Sequence, residues 1–254
     1  MLLASNLLRK NSEFIKQGIE RLLSFEVKGG GFSLFGRAPA SASLTAYGIL
    51  EFRTIVDYLK NRDSDPELLK LVDDALFRAE NWLMSGSSNQ ASWCQQTSMD
   101  SIGRSSCETT IAYIYYSLSK RDMSSDILST VFNLHTQILQ KPDNFSTYVI
   151  ALECLTMFNL HEKDKAASLI ELLLPRQTKE GSFLNGRETI TKSGEEGVLV
   201  ETTALSAMCL DYQRSFYSQQ LARATLYLLN HQKVVSFIVI EYRMVILLQH
   251  KEQS

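Results

Sequence analysis

One short stretch organises the chain: Lys28-Gly29-Gly30-Gly31-Phe32-Ser33-Leu34-Phe35-Gly36, a glycine loop that leads into the apolar run Leu44-Thr45-Ala46-Tyr47-Gly48-Ile49-Leu50-Glu51-Phe52. Each glycine in a helix interior loses about 1 kcal/mol relative to alanine, so three in succession favour a tight turn. The two phenylalanines of the loop, Phe32 and Phe35, are expected to be buried. From Leu44 to Leu59 apolar residues recur every three to four positions, which predicts a helix with one broad apolar face.

The same pattern of a loop aromatic, a threonine and an alanine-rich apolar helix recurs three more times along the chain. The aromatic residues of these copies are Trp93, Phe145 and Phe183, and the threonines of all four copies are Thr45, Thr110, Thr147 and Thr203. A solenoid of identical units would keep one period, whereas these copies are unevenly spaced. Irregular helical hairpins closed into a ring are therefore expected.

Composition narrows the class of protein. The chain has 254 residues, is 44% hydrophobic and carries a net charge of −2, from 26 basic and 28 acidic residues. This charge argues against nucleic acid as the main partner, because phosphate binding needs a basic face. Only four prolines occur, which favours helices. No apolar run reaches the roughly 18 residues that a membrane span requires.

Periodicity predicts an all-α protein of about ten helices. They are expected at about 7–25, 44–59, 66–84, 108–120, 124–139, 146–158, 163–177, 199–212 and 215–231, with a possible tenth at 234–248. Long irregular loops are expected at 85–106 and 178–197. The residues expected to be buried in an inner ring of helices are Leu44, Tyr47, Ala112, Ile150, Ala151, Ala204 and Leu205.

Residues with catalytic or metal-binding chemistry are present but are not grouped in a recognisable pattern. None of the four histidines, His135, His161, His231 and His250, has zinc-ligand spacing, and they are interpreted as lone surface residues. Asp63 and Asp65 are assigned to a helix cap. The pair Asp73-Asp74 is assigned to an early turn of the third helix, where carboxylates interact favourably with the helix dipole.

Two tripeptides look alike, Glu108-Thr109-Thr110 and Glu201-Thr202-Thr203, and both are interpreted as first-turn helix caps. Of the four cysteines, Cys154 and Cys209 fall on apolar helix faces and are interpreted as small buried hydrophobes. Cys94 and Cys107 flank one loop and can form a disulfide in an oxidising compartment, which the sequence leaves open.

In order and spacing, these motifs resemble the thioester-containing domain of alpha-macroglobulins and complement proteins, especially its bacterial-type branch. The resemblance is carried by 30–36 with 44–47, by the Q-x-x-x-G-x-F pattern of 177–183, and by 190–194 with 200–205. It covers about residues 12–232. The fold it implies is an α/α toroid, an inner and an outer ring of helices, shared with terpene cyclases and protein prenyltransferases.

The resemblance also implies a chemistry that this sequence lacks. Family members hold an internal thioester between a cysteine and a glutamine in a Cys-Gly-Glu-Gln motif, and protease cleavage exposes it to acylate the attacker. That motif is expected before residue 12 and does not occur in the chain. The stretch 93–106, which matches the family's acyl-transfer histidine loop, contains no histidine. No catalytic residue, cofactor or metal ligand is therefore carried over, and no enzyme activity is expected.

The predicted organisation is an incomplete toroid over residues 1–232, lacking the N-terminal thioester-motif helices, followed by a divergent apolar helix or tail over 233–254. A ring of paired helices buries its core only when it is closed. An exposed apolar face is therefore expected beside the first helix, which favours aggregation or association with another chain.

The leading interpretation is a non-catalytic fragment of an alpha-macroglobulin-type endopeptidase inhibitor that traps proteases. Its expected partners are proteins, either a protease or other domains of a larger macroglobulin-like protein. An extracellular location follows by resemblance, although residues 1–9 are not a typical signal peptide. Two alternatives stay open: a terpene cyclase or prenyltransferase β-like toroid enzyme, which needs an Asp-rich or Asp/Cys/His site facing the ring centre, and a free-standing interaction module that uses its rim loops.

Overall fold

The computed structural model describes residues 2–61, 66–86, 90–94 and 105–231, without the side chains of 2–12 and 90–91. The described residues form ten α-helices joined by turns and isolated bridges, which confirms the all-α prediction. The chain divides into two compact units, Met1–Ser101 and Ile102–Ser254. The predicted segment 233–254 and the helix expected at 234–248 lie outside the described residues.

The first unit contains α1 (Leu2–Leu23), α2 (Ala42–Lys60), α3 (Pro66–Ser85) and the short α4 (Gln90–Cys94). Helix α2 begins after Ser41, whose hydroxyl accepts a hydrogen bond from the amide of Leu44, the usual N-cap arrangement. The α2 helix packs along α3, and smaller contacts join α1 to α3 and α2 to α4. Helix α4 interrupts the stretch 85–106, which the sequence predicted to be irregular throughout.

The second unit contains six α-helices, and serine N-caps begin three of them. The helices are α5 (Cys107–Leu118), α6 (Ser125–Gln140), α7 (Thr147–Asn159), α8 (Lys163–Leu173), α9 (Glu195–Asp211) and α10 (Arg214–Asn230). Helix α7 packs against both α5 and α9, while α8 packs on α7, α10 on α9 and α6 on α8. The apolar helices α5, α7 and α9 therefore pack side by side in one row, and α8 and α10 pack against that row.

Helix α7 forms the centre of this unit. Every residue from Thr147 to Phe158 is buried. A helix that is apolar on all sides must be surrounded by protein to be stable in water. Its neighbour α9 is nearly as buried, from Val200 to Ala207 without interruption. Five of the residues predicted to lie in an inner ring are buried accordingly: Ala112, Ile150, Ala151, Ala204 and Leu205.

Three burial predictions for the first unit are wrong. Leu44 and Tyr47 are only half-buried, because both line an open apolar pocket. Phe35 is 69% exposed. The turn after it brings Gly36, with φ 65°, against the carbonyl oxygen of Ser24.

Two helix boundaries differ from the predicted ones for local reasons. Helix α8 ends at Leu173, followed by a 3-10 turn over Leu174–Arg176, whereas the predicted helix continued to residue 177. Pro175 explains the change, because a proline has no amide N–H to continue the α-helical pattern. Helix α9 begins at Glu195, four residues before the predicted start at 199, since the acidic pair Glu195-Glu196 suits a first turn.

Candidate functional site

Two glycine–aromatic hairpins with the same hydrogen bonds are the most distinctive loops of the molecule. Hairpin A comprises residues 25–33 and hairpin B residues 176–184. The amide of Val27 donates to the carbonyl of Gly31 at 2.7 Å in hairpin A. The amide of Thr178 donates to the carbonyl of Ser182 at 2.8 Å in hairpin B. Each hairpin follows a half-polar helix and precedes an apolar one.

A threonine of the following helix anchors each hairpin. The amide of Phe32 donates to Oγ1 of Thr45 at 2.9 Å, and the amide of Phe183 donates to Oγ1 of Thr203 at 3.0 Å. Both phenylalanines are buried, and so are both threonines. The recurring aromatic–threonine pattern in the sequence therefore corresponds to a real side-chain-to-backbone bond in these two copies.

In each hairpin a glycine brings the backbone into contact with the next half-polar helix. Gly30 has φ 104° and Gly181 has φ 100°, a region that other residues rarely adopt. A β-carbon on Gly30 would lie 2.5 Å from the main-chain oxygen of Arg78, and one on Gly181 would lie 2.1 Å from that of Arg223. The hairpin backbones and the helix backbones are thus in direct contact, with no room for a side chain.

The same two arginines also form hydrogen bonds with a side chain in the first half of each hairpin. Arg78 donates from Nε and Nη2 to both carboxylate oxygens of Glu26, at 2.7 and 2.8 Å. Arg223 donates from Nη2 to Oε1 of Gln177 at 3.1 Å. Glu26 and Gln177 occupy the same place in the two hairpins, four residues before the glycine.

The other two copies of the pattern are built differently. A 3-10 turn over Pro142–Asn144, without glycine, precedes α7. Thr147 donates its hydroxyl to the carbonyl of Leu184 and accepts a hydrogen bond from Arg176. In the copy that leads into α5, the threonine that contacts a loop is Thr109. Its hydroxyl donates a hydrogen bond to Oε1 of Glu188, in the loop before α9, at 3.1 Å. The copies that lead into α2 and α9 therefore share one arrangement, whereas those that lead into α7 and α5 differ from it and from each other.

The interpretation of Glu108 and Glu201 as equivalent caps is wrong. Glu108 lies in the first turn of α5, but Ser106 is the N-cap there. Glu201 is the seventh residue of α9, because that helix begins at Glu195. Its fully buried carboxylate accepts hydrogen bonds from the hydroxyls of Thr191 and Ser193, so it holds the preceding loop against the helix.

A second carboxylate tethers the same loop to α5. Glu188 accepts hydrogen bonds from the amide of Ser106 at 2.6 Å, from the hydroxyl of Thr109 and from Nζ of Lys192 at 2.5 Å. Burial alone would raise the pKa of Glu188, but these hydrogen bonds outweigh burial and lower the pKa to about 2. The contacts of Glu188 are those of a structural anchor.

The most unusual titratable group is Glu153, in the middle of α7. It is fully buried, and neither carboxylate oxygen has a hydrogen-bond partner among the described residues. Desolvation raises the pKa of this carboxyl to about 8. Glu153 is not among the residues predicted to be functional; the signal available in the sequence was an acidic residue inside the apolar run 148–155.

Each unit has a pocket among its described residues. The first, of about 180 Å³, is almost wholly apolar and is lined by Phe25, Phe32, Leu44, Tyr47 and Phe52. It adjoins the end of α1, where an exposed apolar face was predicted. Whether another chain covers this face stays a prediction.

The second pocket, of about 500 Å³, is half polar and contains Arg176 and Arg187. Arg176 donates to the carbonyls of Phe145 and Pro142, and Arg187 donates to those of Asn144 and Asp143. The pKa of Arg176 is lowered, mainly because burial removes water from its charged guanidinium. Asp143 and Glu171 also line this pocket, so that the formal charges of its lining residues balance.

The interpretation of Cys154 and Cys209 as free buried thiols is wrong. Their sulfur atoms form a disulfide that joins α7 to α9, with the Cα atoms 6.1 Å apart. Both residues are buried, as predicted. Cys94 and Cys107, whose pairing the sequence left open, are not free thiols either, since both are disulfide-bonded.

The described histidines and acidic pairs are spread over separate helices and turns. His135 is buried, contrary to prediction, and desolvation is the main cause that lowers its pKa. Asp73 and Asp74 are exposed in the middle of α3, and Asp63, Asp65 and His250 lie outside the described residues. No cluster of three or more histidine, cysteine or acidic side chains that could hold a metal occurs in the part of the chain that the structure describes.

Comparison of the chain with protein-family models, with curated proteins and with solved structures finds no match. The described helices include no candidate for a membrane span.

Proposed function

We propose that the chain is a non-catalytic domain of the thioester-domain type, built as an α/α toroid. In this proposal it belongs to an alpha-macroglobulin-type endopeptidase inhibitor, and it acts by contacting other proteins. The observation that carries the proposal is the repeated glycine–aromatic hairpin, in which Gly30 and Gly181 seat on the helix backbone and Thr45 and Thr203 hold the phenylalanine amide.

This observation supports the proposal because it concerns the residues that carry the family resemblance. The Q-x-x-x-G-x-F pattern of 177–183 forms a hairpin whose glutamine, glycine and phenylalanine each make a separate contact. Residues 26–32 form the same hairpin with glutamate in place of glutamine. A motif built twice at corresponding junctions is typical of folds assembled from repeated helix pairs.

The polar residues of the second unit support a scaffold role. Glu188 and Glu201 accept hydrogen bonds that hold the loop before α9, and Arg187 donates to the turn before α7. These groups are engaged in positioning loops at the beginnings of apolar helices. Such loops, held by a rigid helical frame, are where proteins most often carry their binding residues. The Cys154–Cys209 disulfide agrees with an extracellular location for the proposed domain.

The proposal is tested by incubating the chain with methylamine and, separately, with a labelled protease, followed by intact mass spectrometry. We expect an unchanged mass, because acyl transfer requires a stored thioester and the chain has no Cys-Gly-Glu-Gln. An alpha-macroglobulin with an intact thioester, treated in parallel, serves as the positive control. A mass gain of one amine with release of one thiol would contradict the non-catalytic assignment.

The protein-binding part of the proposal needs its own test. Native mass spectrometry or gel filtration with a panel of endopeptidases should detect a non-covalent complex that dissociates on denaturation. The active site of each protease is blocked beforehand with an inhibitor suited to its class, so that the chain is not digested. Absence of a complex with every class of endopeptidase would contradict a role in trapping proteases.

A further inference from the structure

The turn before α7 carries an N-glycosylation acceptor sequence. Asn144-Phe145-Ser146 matches the pattern Asn-x-Ser with x other than proline, and no other asparagine of the chain is followed by serine or threonine two residues later. Transfer of a glycan to such an asparagine requires that its side chain be placed on the surface of a secreted protein.

The structure places Asn144 where a glycan can be attached. Asn144 is the last residue of the exposed 3-10 turn Pro142–Asn144, and its side chain is exposed. Its backbone is fully engaged: the amide donates to the carbonyl of Lys141 at 3.1 Å, and its carbonyl accepts from Arg187 at 2.7 Å. The side-chain amide takes part in none of the hydrogen bonds made by the described residues, so a sugar on Nδ2 would displace no contact.

The two residues that complete the acceptor sequence have different surroundings. Phe145 is buried, and the hydroxyl of Ser146 accepts a hydrogen bond from the amide of Val149 at 3.2 Å as the N-cap of α7. These contacts form only when the chain folds. The transferase needs the serine hydroxyl near the asparagine amide in an accessible chain, so transfer must precede capping of α7. After folding, the turn presents the modified side chain outward.

The described residues also indicate a compartment in which this chemistry operates. Cys154 and Cys209 form a disulfide, and disulfides persist mainly in secreted proteins and in the compartments through which they pass. The lipid-diphosphate-linked oligosaccharides that serve as glycan donors are used in the same secretory compartment.

We propose that Asn144 is an N-linked glycosylation site. A bond forms between Nδ2 of Asn144 and the anomeric carbon of the first sugar, and the bond from that carbon to the lipid diphosphate breaks. The amide loses one proton, and the lipid diphosphate leaves with the electron pair of the broken bond. This site is independent of the proposed role as a thioester-domain-like scaffold.

The test is expression of the full chain behind a cleavable secretion leader in a eukaryotic cell line. Intact mass spectrometry of protein from both cells and medium should show one N-glycan. Peptide N-glycosidase F should remove it and convert Asn144 to aspartate. Asn144→Gln should abolish the mass gain. Asn133→Gln, which changes an exposed asparagine outside any acceptor sequence, should retain it.

A further variant separates acceptor function from folding. Ser146→Asp keeps a residue suited to the N-cap of α7 but destroys the acceptor sequence, so the chain should still fold and should carry no glycan. An unmodified wild-type chain that has entered the secretory pathway, as shown by removal of its leader, would overturn the proposal. A glycan that persists in Asn144→Gln would overturn it equally.

Discussion

Gly181 lies so close to the main-chain oxygen of Arg223 that a β-carbon at residue 181 would be 2.1 Å from it. Gly30 has the same relationship to Arg78 in the other hairpin, at 2.5 Å. Real β-carbons do not approach backbone oxygens so closely, and both glycines have a φ that disfavours other residues. Both hairpins therefore depend on glycine for two separate reasons.

Replacement of Gly181 should destabilise the protein. We expect Gly181→Ala to lower the free energy of unfolding by at least about 2 kcal/mol, because backbone strain and a steric clash add. Gly194→Ala is the matched control, since a β-carbon there would meet nothing within 4 Å. The control should change stability by less than about 1 kcal/mol. Urea unfolding followed by circular dichroism measures both, and equal effects would contradict the close approach.

The threonine anchors should contribute measurably to stability. Thr203→Val keeps the side-chain shape but leaves the buried amide of Phe183 without its acceptor, which should cost about 1–3 kcal/mol. Thr136→Val on the exposed face of α6 is the control, where the expected change is within about 0.5 kcal/mol. If Thr203→Val unfolds at the same urea concentration as wild type, the anchor has no energetic role.

Glu153 should make stability fall as the pH rises. Its pKa in the folded protein is about 8, above the ordinary value of 4.5, because burial disfavours the charged form. Below about pH 4.5 the carboxyl is neutral in both the folded and the unfolded chain. Between about pH 4.5 and 8 it ionises only in the unfolded chain, so the free energy of unfolding falls by roughly 1.4 kcal/mol per pH unit.

A neutral variant should remove this pH dependence. Glu153→Gln should be more stable than wild type near pH 8 and should show a flatter profile of unfolding free energy between about pH 5 and pH 8. Glu180→Gln, at an exposed position of hairpin B, should leave the profile unchanged. Parallel pH profiles for wild type and Glu153→Gln would show that Glu153 is not the responsible group.

The disulfide between α7 and α9 should stabilise the second unit. It closes a loop of 55 residues, for which restriction of the unfolded chain contributes about 4 kcal/mol. The double variant Cys154→Ala/Cys209→Ala should lose roughly 2–5 kcal/mol of stability, measured by urea unfolding without reductant. A thiol assay on the unfolded wild type that finds both residues reactive would contradict the pairing.

Much of the secondary structure was predictable because its causes are local. Apolar residues at helical spacing and serines before the helices placed α2, α5, α6 and α7 within a few residues of their observed bounds. Errors occurred where a single residue acted against the period, as Pro175 did at the end of α8. The recurrence of an aromatic and a threonine also indicated the two residues that form the hydrogen bond between each hairpin and the following helix.

The partners of individual side chains were not predictable in the same way. Glu108 and Glu201 have similar neighbours in sequence, yet one lies in the first turn of a helix and the other in its buried middle. The difference arises because α9 begins earlier than its apolar period indicates. The loop that precedes it then folds back, so that Thr191 and Ser193 reach Glu201.

The sequence by itself determined that this protein is helical, where most helices begin, and that the glycine loop of residues 28–36 turns tightly. Those properties depend on residues a few positions apart. Only the tertiary structure decided that Cys154 bonds to Cys209, that Glu153 is buried without a partner, and that Gly181 contacts Arg223. These properties depend on which faces of separate helices meet, and that choice is made by packing of the whole unit.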